Sequence, residues 1–338
     1  MADRGDARLA RARRDRAAIA AQVRTRVGAG AAHRRADDRA VVDGYLDELA
    51  LGFHGWAHRA VTAALVPILG AVCTPPGAGV AALAALDDRL ELAGAVSALA
   101  ATARTHTVIL APTHGANLDA VTVGLALVRL GLPPCAYPVG EHLFRNPVLG
   151  ALMRALGGFR LERARTGPRY LAVVTAYLAA LIERGVPLVV FPGGTRNRAG
   201  TVDDRLRLGL VAAAVRVATA AGRPAAVVPI AVSHQIVLEA EHLVDYHLRG
   251  RGHERVVGDE LFVPGRLRTT ARRLRALDQR TVLGVGAPIV GPIAPPALAR
   301  ALVTAYRAAA VFMDTHVLGR ALDELRRAAG GPRRTSCG

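Results

Sequence analysis

From residue 104 onward, short apolar segments alternate with longer segments of helical pattern, and this alternation limits the possible folds more than any other feature. The segments with strand character span residues 106–111, 135–139, 158–163, 187–191, 226–232 and 281–287. Most of the helical segments between them end at or near glycine, as helices often do. Strands that alternate with helices form a mostly parallel sheet with helices on its faces. The sequence therefore predicts an α/β fold with a central, mostly parallel mixed β-sheet flanked by helices.

The first part of the chain has a different pattern, and residues 1–103 are predicted to form an N-terminal basic and apolar helical region. Its last segment, residues 87–103, is rich in Leu and Ala and is predicted as a helix. Residues 60–86 carry no charge, but prolines and glycines interrupt them. They are expected to form two short helices, either packed in the core or in contact with lipid. Residues 104–330 are assigned to the α/β domain and residues 331–338 to a disordered tail.

The formal net charge of +17 implies a negatively charged partner. Nucleic acid, an anionic membrane surface and phosphorylated small molecules all fit, but only 4% of residues are aromatic. Because stacking on single-stranded nucleic acid needs aromatic side chains, we expect no nucleic-acid partner. The three cysteines are scattered without metal-binding spacing and their number is odd, so we expect no metal site and a reducing cytoplasm.

A polar motif follows the first predicted strand of the sheet. Residues 111–120, APTHGANLDA, place His114 and Asp119 before the next helical segment. On one continuous helix, side chains five residues apart would diverge by about 140°. The helix is therefore expected to begin after a turn at Gly115, with Asn117 as its N-cap, so that the Asp119 carboxylate reaches back to the imidazole.

A histidine paired with an aspartate, as in His114 and Asp119, can act as a general base. A carboxylate on one ring nitrogen fixes the histidine tautomer and leaves the other nitrogen available for a proton. No serine or cysteine accompanies His114 in a nucleophile-elbow pattern, so the hydroxyl to be activated would belong to the substrate. Taken alone, the spacing of His114 and Asp119 also fits a structural or helix-capping role.

A second motif, residues 188–200 with the sequence LVVFPGGTRNRAG, joins an apolar strand to a turn rich in glycine and arginine. Glycines such as Gly193 and Gly194 let a backbone approach a ligand closely. The Arg196 guanidinium can bind a phosphate through two hydrogen bonds. A tight turn with surface arginines is the alternative interpretation.

Four blocks in this order resemble the glycerolipid acyltransferase family, which includes glycerol-3-phosphate and 1-acylglycerol-3-phosphate acyltransferases. The His-x4-Asp signature matches His114 and Asp119. The remaining blocks match GGFRLER, which ends at Arg163, FPGGTRN, which spans residues 191–197, and VVPIAV, which contains Pro229. The resemblance covers residues 104–292 and rests on the blocks together.

The resemblance implies transfer of a fatty acyl group from acyl-CoA or acyl-carrier protein to a hydroxyl of glycerol 3-phosphate or a lysophospholipid. His114 would be the general base and Asp119 its orienting partner, with no cofactor besides the donor and no metal. The implied substrate-binding residues are Arg163, Gly193, Gly194, Thr195, Arg196 and Pro229. The family also implies a place in phospholipid biosynthesis. The basic residues 1–40 and the arginine-rich residues 264–280 are expected either to contact a lipid surface or to form a solvated charged face. We therefore expect the protein in the cytoplasm, peripherally associated with the inner face of the cell membrane.

Two departures from the family pattern bear on activity. Gly193 stands where the family usually has Glu, and Thr113 precedes His114 where many members have Asn. The nearest carboxylates in sequence that could compensate are Asp203, Asp204 and Glu162. A non-catalytic member that binds anionic lipid or phosphate ligands at the membrane surface therefore remains the alternative.

Many oxidoreductases that bind a dinucleotide also contain a sheet of this kind. The closest pattern, GVGAPIVG at residues 284–291, has Ile289 instead of a third glycine, and Pro288 would obstruct a helix there. The sequence therefore argues against that class.

Overall fold

The computed structural model describes most of the predicted α/β region and parts of the N-terminal region. The described residues are 8, 10–28, 36–49, 52–61, 63–64, 89–116, 118–162, 164–194, 196–197, 201–202, 204–237, 240 and 279–329. The predicted tail 331–338 and most of the uncharged segment 60–86 lie outside them.

Within these residues, six strands form the main sheet. They are β1 (Leu90–Gly94), β2 (Thr107–Pro112), β5 (Leu188–Val189), β6 (Ala225–His234), β7 (Thr281–Val285) and β8 (Ile289–Val290). Their order is β1-β7-β6-β2-β5, with β8 also paired to β6. The pairs β1–β7, β2–β5 and β2–β6 are parallel, whereas β6 is antiparallel to both β7 and β8. The predicted mostly parallel mixed sheet is thus confirmed.

Strands β3 (Tyr137–Gly140) and β4 (Gly158–Leu161) form a separate parallel pair. An isolated bridge between Ala136 and Leu188 links this pair to the main sheet next to β5. The small sheet therefore lies beside the β5 edge of the main sheet.

The helices account for the remaining regular structure. They are α1 (Arg16–Gly28), α2 (Ala36–Leu49), α3 (Val96–Thr105), α4 (Asp119–Arg129), α5 (Glu141–Phe144), α6 (Pro147–Ala155), α7 (Pro168–Glu183), α8 (Gly209–Ala220), α9 (Pro295–Ala309) and α10 (Asp314–Ala328). Proline occupies the first turn of α6, α7 and α9, where its missing N–H costs no hydrogen bond. Within the described residues, no helix is both long and apolar enough to span a bilayer.

Alternate side chains of β2 enter two separate hydrophobic cores, because successive residues of a strand point to opposite faces. Ile109 and Ala111 pack in the core that contains α1, α2, α7 and α8. Val108 and Leu110 pack in the core that contains residues of α3 and α4. Helices therefore cover both faces of the sheet, as the sequence predicted.

The N-terminal helix α1 is part of the first core. Its apolar residues Ile19, Val23 and Val27 are buried, and α1 packs against α7. An ion pair between Arg26 and Glu183 joins the two helices. The apolar residues of α1 are therefore used for packing within the protein.

The prediction of a helix over residues 87–103 is wrong for its first half. Leu90–Gly94 forms β1, an edge strand parallel to β7, and only Val96–Thr105 is helical. The Leu and Ala content favours a helix locally, but pairing with β7 overrides this weak preference. Gly94 ends the strand with φ +81°, and a Cβ there would lie 2.4 Å from the Val285 carbonyl oxygen. The sheet consequently begins before the predicted boundary at residue 104.

Candidate active site

His114 and Asp119 lie between the end of β2 and the first turn of α4. The chain leaves β2 at Pro112, turns through residues 113–116 and enters α4 at Asp119. Nδ1 of His114 lies 2.9 Å from Oδ2 of Asp119. The turn therefore brings together two side chains that a continuous helix would separate. The predicted N-cap, Asn117, lies outside the described residues.

The Asp119 carboxylate is fully buried and surrounded by hydrogen-bond donors. Oδ2 accepts hydrogen bonds from the backbone N–H groups of Gly115 and Ala116, at 2.7 and 2.8 Å, in addition to its contact with His114. Oδ1 lies 2.6 Å from Nε2 of His234. Burial by itself raises the pKa of Asp119, but the hydrogen bonds and charges of His114 and His234 outweigh it and lower the pKa to about 2. The carboxylate is therefore held ionised.

His234 is a member of this site that the sequence analysis missed. It is the last residue of β6, 115 positions after Asp119 in the chain. Its Nδ1 lies 2.9 Å from the hydroxyl oxygen of Thr281 on β7. The signal was present in the sequence, because His234 immediately follows the VVPIAVS strand and the carboxyl ends of parallel strands meet at one edge of a sheet.

The His114 imidazole is partly accessible, with 21% of its side chain exposed. One face contacts Phe191, with ring centroids 4.6 Å apart and an interplanar angle of 39°. Because Nδ1 faces Asp119, the nitrogen left to exchange a proton with a ligand is Nε2. This is the arrangement required of a general base.

The glycine–arginine turn after β5 contacts the histidine loop directly. The Asn197 N–H donates to the His114 carbonyl at 2.6 Å, and the Arg207 N–H donates to the Pro192 carbonyl at 2.7 Å. Gly194 has φ +75°, and a Cβ there would lie 2.8 Å from Cδ of Arg207. The turn therefore requires glycine at position 194 and holds its backbone beside His114.

The predicted substrate-binding residues fall into three groups. Gly193, Gly194 and Arg196 lie in the turn beside His114, and Arg196 is half-buried. Pro229 is buried within β6, where the strand's pairing changes from β8 to β7, and its carbonyl accepts a hydrogen bond from Gly286 N–H at 2.9 Å. Arg163 and Thr195 lie outside the described residues. The binding roles of all six remain predictions.

Thr113 has a structural role in this chain. Its backbone N–H donates to the Ile230 carbonyl, and its hydroxyl oxygen accepts from the Val232 N–H, each at 2.9 Å. These bonds extend the pairing of β2 with β6 by one residue. The position before the histidine therefore anchors the site to the sheet without the asparagine common in the resembled family.

Two of the three carboxylates considered as substitutes for the family Glu are described. Asp204 is exposed, and Glu162 accepts a hydrogen bond from the Ala164 N–H within its own turn, at 3.1 Å. Asp203 lies outside the described residues. Among the residues that are described, no group of three His, Cys, Asp or Glu side chains is placed to hold a metal ion.

The sequence that forms the candidate site is similar to that of known proteins. The model of the Acyltransferase family matches residues 95–233, which include His114, Asp119, the glycine–arginine turn and almost all of β6. Within this segment the chain is similar to the Acyltransferase family and to relatives named glycerol-3-phosphate acyltransferase. The start of the family match, at residue 95, falls directly after β1.

Curated relatives of the acyltransferase domain bear the name glycerol-3-phosphate acyltransferase. One from Ectopseudomonas mendocina (strain ymp) is 33% identical over 162 residues, which is 47% of this chain and 19% of the relative. One from Pseudomonas syringae pv. tomato is 34% identical over 136 residues, or 40% of this chain and 16% of the relative. A relative from Pasteurella multocida is 30% identical over 152 residues. The matched region thus spans less than a fifth of these proteins.

Proposed function

We propose that this protein is an O-acyltransferase that moves a fatty acyl group from a thioester donor, acyl-CoA or acyl-carrier protein, to a hydroxyl of a glycerol phosphate acceptor. Glycerol 3-phosphate is the first choice, because the relatives carry that name, and a lysophospholipid is the second. The observation that carries the proposal is the contact of the partly exposed His114 with the buried Asp119 inside an acyltransferase domain.

In the proposed reaction, Nε2 of His114 removes the proton from the acceptor hydroxyl while its oxygen attacks the thioester carbonyl carbon. The tetrahedral intermediate collapses, the C–S bond breaks, and the leaving thiolate takes the proton from the imidazolium. The products are an ester and a free thiol, and the histidine returns to its neutral form. Asp119 keeps the Nδ1 proton in place and stabilises the transient imidazolium. General base catalysis of this kind contributes about 10²- to 10⁴-fold in rate.

The glycine–arginine turn is proposed to bind both charged parts of the reacting complex. Arg196, together with Arg163, would hold the acceptor phosphate and so place its hydroxyl near His114. The Gly194 N–H already donates to the Phe191 carbonyl at 3.1 Å. We therefore assign the Gly193 N–H as the backbone donor to the developing oxyanion. A glycine in place of Glu at this position would leave the backbone accessible.

The dyad is tested by following thiol release from acyl-CoA in the presence of glycerol 3-phosphate. His114→Ala is expected to lower kcat by at least about 100-fold, because the general base is lost. The matched control is His106→Ala, since His106 lies at the opposite, amino end of β2. A His114→Ala protein that releases thiol at the parental rate would refute the assignment.

The phosphate contact is tested by Arg196→Lys, which keeps the charge and loses the planar pair of donors. The KM for glycerol 3-phosphate is expected to rise about tenfold, because lysine cannot form the second of the two parallel hydrogen bonds, and losing a charge-assisted bond worth about 1.5 kcal/mol weakens binding about tenfold. Arg216→Lys on the exposed side of α8 serves as the control. An unchanged KM in the Arg196 variant removes the proposed clamp.

We also propose an anionic membrane surface on the cytoplasmic side as a partner. Helix α10 exposes the apolar side chains of Val317, Leu318, Leu322 and Leu325 to solvent, and Phe312 just before it is 80% exposed. The start of α10 is tied to the active-site strand, because Nε2 of His316 lies 2.9 Å from the His234 carbonyl oxygen. An apolar surface beside the site, on a protein of net charge +17, supports contact with anionic lipid.

Vesicle flotation with and without anionic lipid tests this contact. The protein is expected to float with vesicles that contain anionic lipid, and Leu322→Glu with Leu325→Glu is expected to reduce the floated fraction. Equal flotation of the parent and the double variant would exclude α10 as the contact. Flotation combined with no turnover of any acyl donor would favour the non-catalytic alternative.

A further inference from the structure

His234 occupies a buried position in direct contact with the proposed catalytic pair. Only 4% of its side chain is exposed, and both ring nitrogens have partners. Nε2 lies 2.6 Å from Oδ1 of Asp119, and Nδ1 lies 2.9 Å from Oγ1 of Thr281. The general-base mechanism given above makes no use of this histidine.

The partners fix the state of the His234 ring. An ionised carboxylate only accepts hydrogen bonds, so the proton of a neutral His234 lies on Nε2. Nδ1 is then an acceptor, and the Thr281 hydroxyl is the group that donates to it. Asp119 thus selects the tautomer, and the hydrogen bond from Thr281 to Nδ1 orients the ring so that its Nε2–H faces Asp119.

We propose that His234 is a positioning residue that locks the Asp119 carboxylate in the orientation required by His114. This inference rests on the proposed acyl transfer. Oδ2 serves His114 and the backbone N–H groups of Gly115 and Ala116, whereas Oδ1 is held by His234. With both oxygens engaged, the carboxylate group cannot rotate without breaking bonds on both sides. Nδ1 of His114 therefore always faces the same carboxylate oxygen, Oδ2.

The surrounding strands hold His234 rigidly enough for this role. His234 pairs with Thr281 in the antiparallel register of β6 and β7, so the ring and its hydroxyl partner come from directly opposed residues. The His234 carbonyl oxygen is bound by Nε2 of His316 at the start of α10. Just outside the strand, the Gln235 side chain donates to the Asp314 carboxylate at 3.0 Å. These bonds join β6, β7 and α10 around the residue.

Two substitutions separate positioning from simple packing. His234→Phe keeps a ring of similar size but removes the donor to Asp119, and we expect kcat for acyl transfer to fall about 10- to 100-fold, with the KM for glycerol 3-phosphate unchanged. His234→Gln retains an N–H near the position of Nε2, and we expect it to recover most of the lost kcat. A packing role predicts the reverse order, because phenylalanine preserves ring volume better than glutamine.

A second readout needs no substrate. The ¹⁵N shifts of the histidine rings in the full-length protein report which nitrogen carries each proton. We expect the proton on Nε2 of His234 and on Nδ1 of His114 in the parent, and loss of the fixed His114 tautomer in His234→Phe. If His234→Phe fails to fold, Thr281→Val provides the same test, because it removes the hydrogen bond that orients the His234 ring and leaves the ring itself in the protein.

The two readouts distinguish failure of this inference from failure of the proposed function. If the parent transfers no acyl group to any acceptor but the ring shifts change as expected, the proposed function fails and the positioning of the carboxylate stands. A folded His234→Phe or Thr281→Val protein with parental kcat and an unchanged His114 tautomer would overturn the inference.

Discussion

Asp119→Asn tests how strongly the folded protein depends on an ionised carboxylate at this buried position. Burial raises the pKa of Asp119, but the hydrogen bonds and charges of His114 and His234 outweigh it and lower the pKa from its ordinary value of 3.8 to about 2. A pKa difference of this size corresponds to about 2 kcal/mol of stability near neutral pH. Asn cannot carry the charge, so the variant lacks this contribution at every pH.

The sign of the pH dependence follows from the direction of the shift. Because the folded pKa lies below the unfolded value, the unfolded state takes up protons first as the pH falls. The contribution is fully present above about pH 5. It should decline by about 1 kcal/mol at pH 3 and by about 2 kcal/mol at pH 2, as the pH passes through the folded pKa.

The assay is urea denaturation of the parent and Asp119→Asn at a series of pH values from 5 downward. The free energy of unfolding of both proteins will fall in acid for reasons unrelated to Asp119, so the difference between them is the quantity of interest. That difference should shrink by about 1 kcal/mol between pH 5 and pH 3. A difference that stays constant over this interval would show that the carboxylate is not held ionised by its neighbours.

Two further predictions concern the framework of the site. Gly194→Ala should lower the free energy of unfolding by about 1–3 kcal/mol, because residue 194 has φ +75° and its new Cβ would meet Arg207. The control, Gly209→Ala, has open space around its Cβ and should change the free energy of unfolding little. Thr113→Val should cost about 1 kcal/mol, because the Val232 N–H loses its acceptor. Urea denaturation checks both, and a Gly194→Ala protein as stable as Gly209→Ala, or a Thr113→Val protein as stable as the parent, would contradict them.

The parts of the fold that the sequence predicted well are those encoded locally. The apolar segment around Val108–Leu110 became β2, a strand buried on both faces, and the neighbouring strand segments were likewise recovered. The polar motif at the end of β2 was recognisable because a strand, a turn and a helix start follow within a few residues. That local order brings His114 and Asp119 within 2.9 Å of each other.

The parts that were missed depend on pairing between distant segments. Residues 90–94 are a strand only because β7, which lies almost 200 residues later in the chain, forms their partner. The antiparallel direction of β7 relative to β6 is likewise not encoded in the local pattern of either strand. The helix propensity of Leu and Ala favours a helix at these residues, but this preference is weaker than the stabilisation provided by pairing with β7.

The presence of a residue like His234 nevertheless follows from a physical requirement that the motif itself imposes. A carboxylate that is fully buried must have donors for both oxygens, because an unpaired buried charge is strongly unfavourable. The local turn supplies donors to Oδ2 only, so a donor for Oδ1 has to come from another element. Strand β6 lies parallel to β2 with Ile230 opposite Pro112, and its carboxyl end is therefore the nearest source. Its last residue, His234, is the one that reaches Oδ1.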